Sequence, residues 1–285
     1  MKFGLVFANT GYGATPEGAA ALGRIAEESG FESVWTVEHV VVPAGYESQY
    51  PYSPTGKMPG TEDNPIPDPL IWLTWVAAHT TRLRLATGIL ILPQRNPVVL
   101  AKEVATLDVL SGGRVDLGVG IGWLREEFDA IGVDFDARGP ITDEYVGALR
   151  ALWTQDEPTF AGQWTNFEKA KCYPKPAQAN VPIVVGGHSK AAARRAGRIG
   201  DGFFPAKGSP EQLGELFELV RTTAKEEGRD PAGIEMTCGG AMDVDGVKRL
   251  ADLGADRLVI PAFGSSEEKY RQLLGGFGES VISKL

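Results

Sequence analysis

The chain has 285 residues, 43% hydrophobic and 23% charged, which predicts a soluble globular protein of one large or two average domains. Its formal net charge of −9 argues against nucleic-acid binding, which needs a basic face to displace counterions from phosphates. No apolar run approaches the about 20 residues that span a bilayer, and two cysteines are too few for a disulfide framework, so we expect a cytoplasmic protein without a membrane partner.

Eight short apolar runs, separated by segments of helical period, predict the strands of a parallel sheet. In chain order these runs are 2–8, 33–39, 84–92, 115–121, 182–187, 202–206, 234–239 and 257–262. The predicted helices are 16–30, 69–79, 97–110, 138–155, 189–199, 209–228, 243–254 and 266–275. Thr15 and Asn96 each precede a proline at the start of a predicted helix, as N-cap residues often do.

This alternation favours an α/β fold, a (β/α)8 TIM barrel in a single domain over residues 1–285, with insertions after strands 2 and 4. Residues 40–67 are rich in Pro, Gly and Tyr and form a candidate lid loop. Residues 157–180 have the composition of a hairpin insertion. An open dinucleotide-binding sheet is disfavoured, because the turn after the first strand lacks the G-x-G-x-x-G spacing.

The active site of such a barrel lies at the carboxyl ends of its strands, and the second strand ends in Glu38 and His39. An imidazole at this place suits proton transfer near neutral pH. A histidine that is merely packed at a strand end, bonded to a backbone carbonyl, is the open alternative.

The alternation of side chains along the second strand puts Val34, Thr36 and Glu38 on one face. We assign this face to the barrel interior, because Trp35 would fit better against the helices. A carboxylate there needs a cationic partner, since an unpaired buried charge is costly. Either Arg95 or Arg84 could serve.

Glycines mark two further strand ends. Gly88 interrupts a β-branched strand, which indicates a bulge, a close ligand contact or relief of crowding. Gly118, Gly120 and Gly122 alternate along the fourth strand and therefore share one face. That face leaves room either for a neighbouring layer of bulky side chains or for a planar ring.

The fifth strand ends in Gly186-Gly187-His188-Ser189, and a helix begins at once, so free backbone N–H groups create an anion site. The helix that follows is basic, with positive charge at Lys190, Arg194, Arg195 and Arg198. A solvated basic helix face with Ser189 as a plain N-cap is the alternative. His188 is either a donor to a phosphate or a loop residue without a role.

Three segments together resemble a known family. They are "GFESVWTVEH", "LATGILILPQRNPVVLAKEVATLDVLSGGRVDLGVGIGW" and "PIVVGGHSKAAARRAGRIGDGFF", and they resemble the bacterial luciferase-like superfamily in the right order. Within it, the chain is most similar to the coenzyme F420-dependent oxidoreductases, whose cofactor is a deazaflavin. The resemblance implies a (β/α)8 barrel with the cofactor ring at its carboxyl-terminal mouth.

The resemblance also implies roles for individual residues. His39 matches the histidine that contacts the ring and takes part in proton transfer, Gly88–Ile89 matches a cis peptide behind the ring, and the loop at 186–189 matches the phosphate site. Glu38 and His39 are the expected catalytic residues, with Glu38 orienting the histidine or the cofactor. The expected cofactor contacts are Glu38, His39, Thr87, Gly88, Ile89, Gly120, Gly122, Trp123, Gly186, Gly187, His188, Ser189 and Arg194.

One position departs from the sugar-phosphate dehydrogenases of this family. They carry a proton-donating glutamate directly after the fourth strand, where this chain has Trp123, so that activity is not expected. Glu126 and Glu127, a turn further on, are interpreted as first-turn carboxylates that the helix dipole favours.

We therefore expect hydride transfer between the deazaflavin and a small, fairly apolar organic substrate, in a homodimer without metal. Tyr46, Tyr50, Tyr52 and Trp123 are expected to form the wall of the substrate site. The alternatives are an FMN-dependent luciferase-like monooxygenase and a non-catalytic flavin- or deazaflavin-binding protein. The arginines at 194, 195 and 198 favour the deazaflavin, because they could meet its acidic tail.

Overall fold

In the computed structural model, which describes residues 1–205 and 207–285, eight parallel strand positions close into a barrel. They are β1 (Lys2–Val6), β2 (Ser33–Thr36), β3 (Arg84–Thr87) with its continuation β4 (Leu90–Ile91), β5 (Val115–Gly120), β8 (Ile183–Gly186), β9 (Gly202–Phe204), β10 (Glu235–Gly239) and β11 (Arg257–Pro261). β1 pairs with both β2 and β11, so the sheet closes on itself and the predicted TIM barrel is confirmed. Ala206, the last residue of the predicted strand 202–206, lies outside the described residues.

Helices surround the barrel. They are α1 (Pro16–Glu28), α2 (Pro69–Ala78), α3 (Pro97–Ser111), α4 (Arg125–Ile131), α5 (Arg138–Thr154), α6 (Lys190–Ile199), α7 (Pro210–Glu226), α8 (Val244–Asp252), α9 (Glu267–Tyr270) and α10 (Gly276–Ser280). Thr15 and Asn96 cap α1 and α3 through their side chains, as the sequence predicts. The short helix α4 after β5 is not among the eight predicted helices, although Glu126 and Glu127 do lie in its first turn as interpreted from the sequence. The π-helical turn at Arg271–Gly275 links α9 to α10.

The interior of the barrel corrects the predicted orientation of β2. Trp35 is fully buried and packs edge-on against Phe204 at a centroid distance of 5.4 Å, inside the barrel. Val34 lies instead in the outer core between strands and helices. The prediction that Val34 and Thr36 face inward was therefore wrong. The indole fits inside because Gly4 has no side chain that would collide with Nε1 of Trp35. This Nε1 donates a hydrogen bond to Ser33 Oγ at 2.9 Å.

Charged side chains fill the amino-terminal end of the barrel. Arg257 is 2% exposed and donates to Glu32, and its guanidinium lies 5.2 Å from the ring centroid of Trp35. Arg84 forms an ion pair with Asp116 at the same end. Because these ion pairs occupy one end, a ligand site is left to the carboxyl ends of the strands.

The two insertions differ in their secondary structure. Residues 40–67 contain neither helix nor strand, and residues 157–180 include a hairpin of β6 (Phe160–Ala161) and β7 (Asn166–Phe167), paired antiparallel. Within the described part of the chain, no helix is both long and apolar enough to cross a membrane.

Candidate active site

His39 and Glu127 meet at the carboxyl-terminal mouth of the barrel. His39 follows β2, Glu127 lies in the first turn of α4, and His39 Nδ1 is 3.1 Å from Glu127 Oε2. The side chain of Glu127 is fully buried and that of His39 is 7% exposed. The other carboxylate oxygen accepts hydrogen bonds from the backbone N–H groups of Val40 at 2.6 Å and Val41 at 3.3 Å. The carboxylate that orients the histidine is therefore Glu127.

Of the two roles predicted for Glu38, orienting His39 or orienting the cofactor, the structure contradicts the first. Its carboxylate accepts hydrogen bonds from the Ile91 backbone and from Arg95, whose Nε lies 2.9 Å from Oε1. Burial raises the pKa of Glu38, and the Arg95 charge opposes this only in part. Of the two candidate partners, Arg95 is the one observed, since Arg84 pairs with Asp116. Glu38 thus supports the strand segment after the bulge, and Glu127 takes its predicted role toward the histidine.

Glu126 holds the lid at a second point. Its carboxylate accepts hydrogen bonds from the backbone N–H groups of Glu47 at 2.7 Å and Ser48 at 3.0 Å, and from Ser48 Oγ at 2.6 Å. Partial desolvation raises the pKa of Glu126, but these hydrogen bonds outweigh it and bring the pKa to about 2. The two consecutive glutamates of α4 therefore fasten the lid at residues 40–41 and 47–48.

Aromatic side chains of the candidate lid, residues 40–67, cluster with Trp123 at the mouth of the barrel. The Trp123 ring packs edge-on against His39 at 5.6 Å, Tyr46 at 5.5 Å and Tyr50 at 5.1 Å. Tyr52 lies 5.2 Å from Tyr50 and extends the cluster to His188 at 4.9 Å. Burial raises the pKa of Tyr50 to about 12, so its phenol stays neutral at physiological pH. The predicted wall residues thus lie together between the histidine and the loop after β8.

The third strand position carries the predicted non-prolyl cis peptide at Gly88–Ile89. The side chain of Ile89 then lies between two glycines of neighbouring strands. A Cβ placed on Gly120 would be 2.6 Å from Ile89 Cδ1, and one on Gly186 would be 2.4 Å from Ile89 Cγ2. Of the two uses predicted for the glycines of the fourth strand, a bulky side chain is the one observed at Gly120. Thr87 is buried and donates to Gly118 O at 2.6 Å.

The family of this fold follows from the sequence as a whole. The luciferase-like monooxygenase family model matches residues 1–246. The chain belongs to this family. The resemblance of the three segments is thereby confirmed, and with it the assignment to the luciferase-like oxidoreductases.

Relatives and solved structures extend the match over nearly the whole luciferase-like chain. An uncharacterized protein of Mycobacterium tuberculosis is 35% identical over 274 residues, 93% of this chain and 94% of the relative. The F420-dependent glucose-6-phosphate dehydrogenase of Amycolatopsis mediterranei is 31% identical over 251 residues, 86% of this chain and 70% of the relative. The crystal structure of monooxygenase RslO1 from Streptomyces bottropensis superposes with a TM-score of 0.77 at 25% identity, covering 100% of this chain and 99% of that one.

The loop after β8 of this luciferase-like barrel contains a buried polar atom without a partner. His188 Nδ1 makes no hydrogen bond among the described residues, and burial, followed by the charge of Lys207, lowers the pKa of His188. Gly187 has φ of +121°, in the region that favours glycine. Ser189 caps α6 by accepting from the backbone N–H of Ala192 at 3.1 Å.

The basic face of α6 is partly neutralised. Arg195 and Arg198 both pair with Asp143 of α5, the second at 3.0 Å. Arg194 is exposed. The three arginines therefore do not form one free cationic cluster, and among the described residues Arg194 is the member without an ion pair.

Two site residues escaped the sequence reasoning. Glu127 and Glu126 were interpreted as helix-dipole carboxylates, yet they bond to the histidine and to the lid. The available signal was their position, three and four residues after Trp123 at a strand end. Gly122 has φ of +80°, and a side chain on it would collide with Phe128 of α4. No cluster of His, Cys, Asp and Glu suited to a metal ion occurs among the described residues.

Proposed function

We propose that this chain is a coenzyme F420-dependent oxidoreductase that transfers hydride between the deazaflavin and a small, apolar organic substrate. The observation that carries the proposal is the pairing of His39 with a buried carboxylate under an aromatic lid, at the mouth of a luciferase-like barrel. A relative named F420-dependent glucose-6-phosphate dehydrogenase, with the same barrel family, supports the choice of cofactor.

The residues at the mouth fit such a cofactor. The unpaired, buried His188 Nδ1 and the amino terminus of α6 present hydrogen-bonding groups suited to a phosphate. Gly186, Gly187 and Ser189 would contact the same group. The cis peptide at Gly88–Ile89 would back the ring beside Trp123, and Arg194 would meet the acidic tail. Thr87, Gly120 and Gly122 would support that peptide from behind, because Thr87 is buried and the side chains of Ile89 and Phe128 fill the space beside the two glycines.

The bound cofactor supplies or accepts the hydride. The protein must then handle one proton, and His39 is the titratable side chain that the mouth presents beside the lid. In the reducing direction His39 gives a proton to the substrate atom that gains negative charge. In the oxidising direction it removes the proton from the substrate hydroxyl. The lid aromatics exclude water from this exchange.

The aromatic wall sets the substrate class. Tyr46 and Tyr50 both pack against Trp123, which contacts His39 and fills the position of the sugar-phosphate dehydrogenases' acid. A wall of aromatic side chains favours an apolar ligand over a sugar phosphate, whose charge needs paired cations. We propose an apolar carbonyl compound or the corresponding alcohol as substrate.

The test is a fluorescence titration of the purified protein with F420 and, in parallel, with FMN. Binding of F420 in the micromolar range or tighter, with weaker FMN binding, is expected. Tight FMN binding without a response to F420 would instead overturn the choice of cofactor and favour the two FMN alternatives, of which only the monooxygenase consumes O2 when reduced FMN is supplied. Two observations favour the monooxygenase alternative. Asp143 neutralises Arg195 and Arg198, and the chain matches the structure of a monooxygenase.

We also propose that the enzyme is a cytoplasmic homodimer. Adjacent helices α2 and α3 expose apolar side chains, among them Ile71 at 74%, Leu110 at 69% and Val99 at 55%. An exposed apolar face of this kind is typical of a subunit interface. Sedimentation velocity should give a dimer for the wild type and a monomer for Ile71→Glu; a monomeric wild type contradicts the proposal.

A further inference from the structure

A single buried carboxylate serves two groups at the mouth. Oε2 of Glu127 lies 3.1 Å from His39 Nδ1, while Oε1 accepts from the backbone N–H groups of Val40 and Val41. We propose that Glu127 is the positioning residue that fixes the tautomer of His39 and ties that tautomer to the closed lid. The catalytic consequence rests on the proposed function, but the tautomer itself does not.

The tautomer follows from the inventory of donors and acceptors. A carboxylate can only accept hydrogen bonds, and two backbone donors already occupy Oε1 of Glu127. Oε2 must therefore accept from Nδ1–H of His39. In neutral His39 the lone pair is then on Nε2, which becomes the nitrogen that can receive a proton.

Protein groups alone surround the carboxylate in this arrangement. Glu127 has no solvent-exposed side-chain surface, so its oxygens bond to the protein and not to bulk water. Three N–H groups converge on it, two from the backbone and one from the imidazole. Trp123 packs against the His39 ring at an interplanar angle of 85°. The imidazole is thus held by a hydrogen bond on one edge and by an aromatic contact beside it.

The lid shares this anchor. Val40 and Val41 are the first residues of the lid segment 40–67, and both bond to the oxygen next to the one that holds His39. Moving the start of the lid away would remove two of the three donors from Glu127. Glu126 holds the lid separately, at Glu47 and Ser48, with no bond to the histidine. Closure of the lid and the orientation of the base are therefore linked through Glu127.

The proton balance gives the catalytic consequence. When an alcohol is oxidised, its O–H bond breaks and the proton goes to Nε2 of His39; the bound cofactor would accept the hydride from the carbon. In the reverse direction the protonated imidazole returns that proton to the carbonyl oxygen as the hydride arrives. A histidine with the other neutral tautomer would carry hydrogen on Nε2 and could not accept the proton there.

Long-range ¹H–¹⁵N NMR of the histidine rings tests the tautomer directly. The chain has three histidines, and the spectrum of His39→Asn identifies the signals of residue 39. We expect neutral His39 to carry its hydrogen on Nδ1. In Glu127→Gln the amide oxygen can keep the Val40 and Val41 hydrogen bonds, which turns the NH2 group toward Nδ1 and shifts the hydrogen to Nε2. Glu126→Gln is the matched control and should leave the tautomer unchanged.

The outcomes separate this proposal from the proposed function. A wild-type His39 with hydrogen on Nε2, or an unchanged tautomer in folded Glu127→Gln, overturns the positioning role. If Glu127→Gln does not fold, the wild-type spectrum alone decides. If His39 has the predicted tautomer but the protein does not bind F420, the proposed cofactor is refuted and the positioning role of Glu127 remains supported. With F420 bound, Glu127→Gln should keep the affinity and lower the hydride-transfer rate at least ~10²-fold.

Discussion

The contact between Ile89 and two glycines can be tested by adding single methyl groups. The side chain of Ile89 lies between β5 and β8, against the Cα atoms of Gly120 and Gly186. A Cβ on Gly186 would come within 2.4 Å of Ile89 Cγ2, far closer than carbon atoms pack. Gly186→Ala therefore forces Ile89 or the strand to move.

The size of the effect differs between the two glycines. Cγ2 is attached directly to the branched Cβ of Ile89, whose χ1 has few allowed values, so it cannot easily move away from Gly186. At Gly120 the closest atom is Cδ1, the free end of the side chain, at 2.6 Å. Overpacking costs roughly 1–3 kcal/mol, and we expect Gly186→Ala near the upper end and Gly120→Ala near the lower end.

Urea denaturation of four proteins measures the free energy of unfolding and the coupling between positions 89 and 186. They are the wild type, Gly186→Ala, Ile89→Ala and the double variant, in which the space vacated by Ile89 accepts the new methyl group. The double variant should be more stable than the sum of the single effects predicts, by about 1 kcal/mol or more. Gly276→Ala is the control: Gly276 is helical, nothing lies within 4 Å of its added Cβ, and alanine there should stabilise by roughly 0.5–1 kcal/mol.

Two results would refute this reasoning. Additive effects of the two changes would mean that Ile89 does not press on Gly186. Wild-type stability of Gly186→Ala together with a loss of F420 affinity would mean that the glycine is needed for the ligand and not for the packing of Ile89.

The remaining predictions concern the histidine, the lid and the buried ion pair. His39→Asn should fold normally yet lower the hydride-transfer rate at least ~10²-fold in stopped-flow measurements, and an unchanged rate would reduce His39 to a packing role. The pKa of Glu126 is lowered from 4.5 to about 2, so its hold on the lid is complete above pH 4.5 and is lost as the pH falls toward 2. Hydrogen exchange at Ser48, corrected for the intrinsic rate, should accelerate over this range, and equal protection at both ends would contradict the clamp. Arg95→Met strands the buried charge of Glu38 and should cost about 3–5 kcal/mol in urea denaturation, whereas Glu38→Gln should cost less; equal costs would argue against a buried charge.

The barrel could be predicted from sequence because its signal is local and repeated. Eight apolar runs alternate with helical segments, and each helix start with a proline has its cap residue one position earlier, as at Thr15 and Asn96. The orientation of β2 could not be predicted in the same way. Both faces of a barrel strand are apolar, so alternation alone does not tell the inside from the outside. The space that admits Trp35 is made by Gly4 of the neighbouring strand, which only the pairing of β1 with β2 brings close.

Within the site, the sequence identified the histidine and missed its partner for a physical reason. Glu38 is the neighbour of His39 in the chain, but adjacent residues at a strand end point apart, and Glu38 turns to Arg95. Glu127 is 88 positions away from His39, and an acidic residue in the first turn of a helix is already favoured by the helix dipole. The helix-dipole preference thus already explained an acidic residue at position 127, so nothing in the sequence pointed to its contact with His39.

The position of Glu127 also changes the interpretation of Trp123. In the sequence, Trp123 indicates that a proton-donating acid is missing, because the resemblance gives the sugar-phosphate dehydrogenases a glutamate at that position. In the folded chain a carboxylate is present one turn later, but it bonds to the imidazole, and the indole fills the space between that imidazole and the lid tyrosines. The carboxylate and the aromatic ring thus lie on different sides of His39. Under the proposed function, this arrangement favours His39 as the one proton-transferring group and an apolar compound over a sugar phosphate as the substrate.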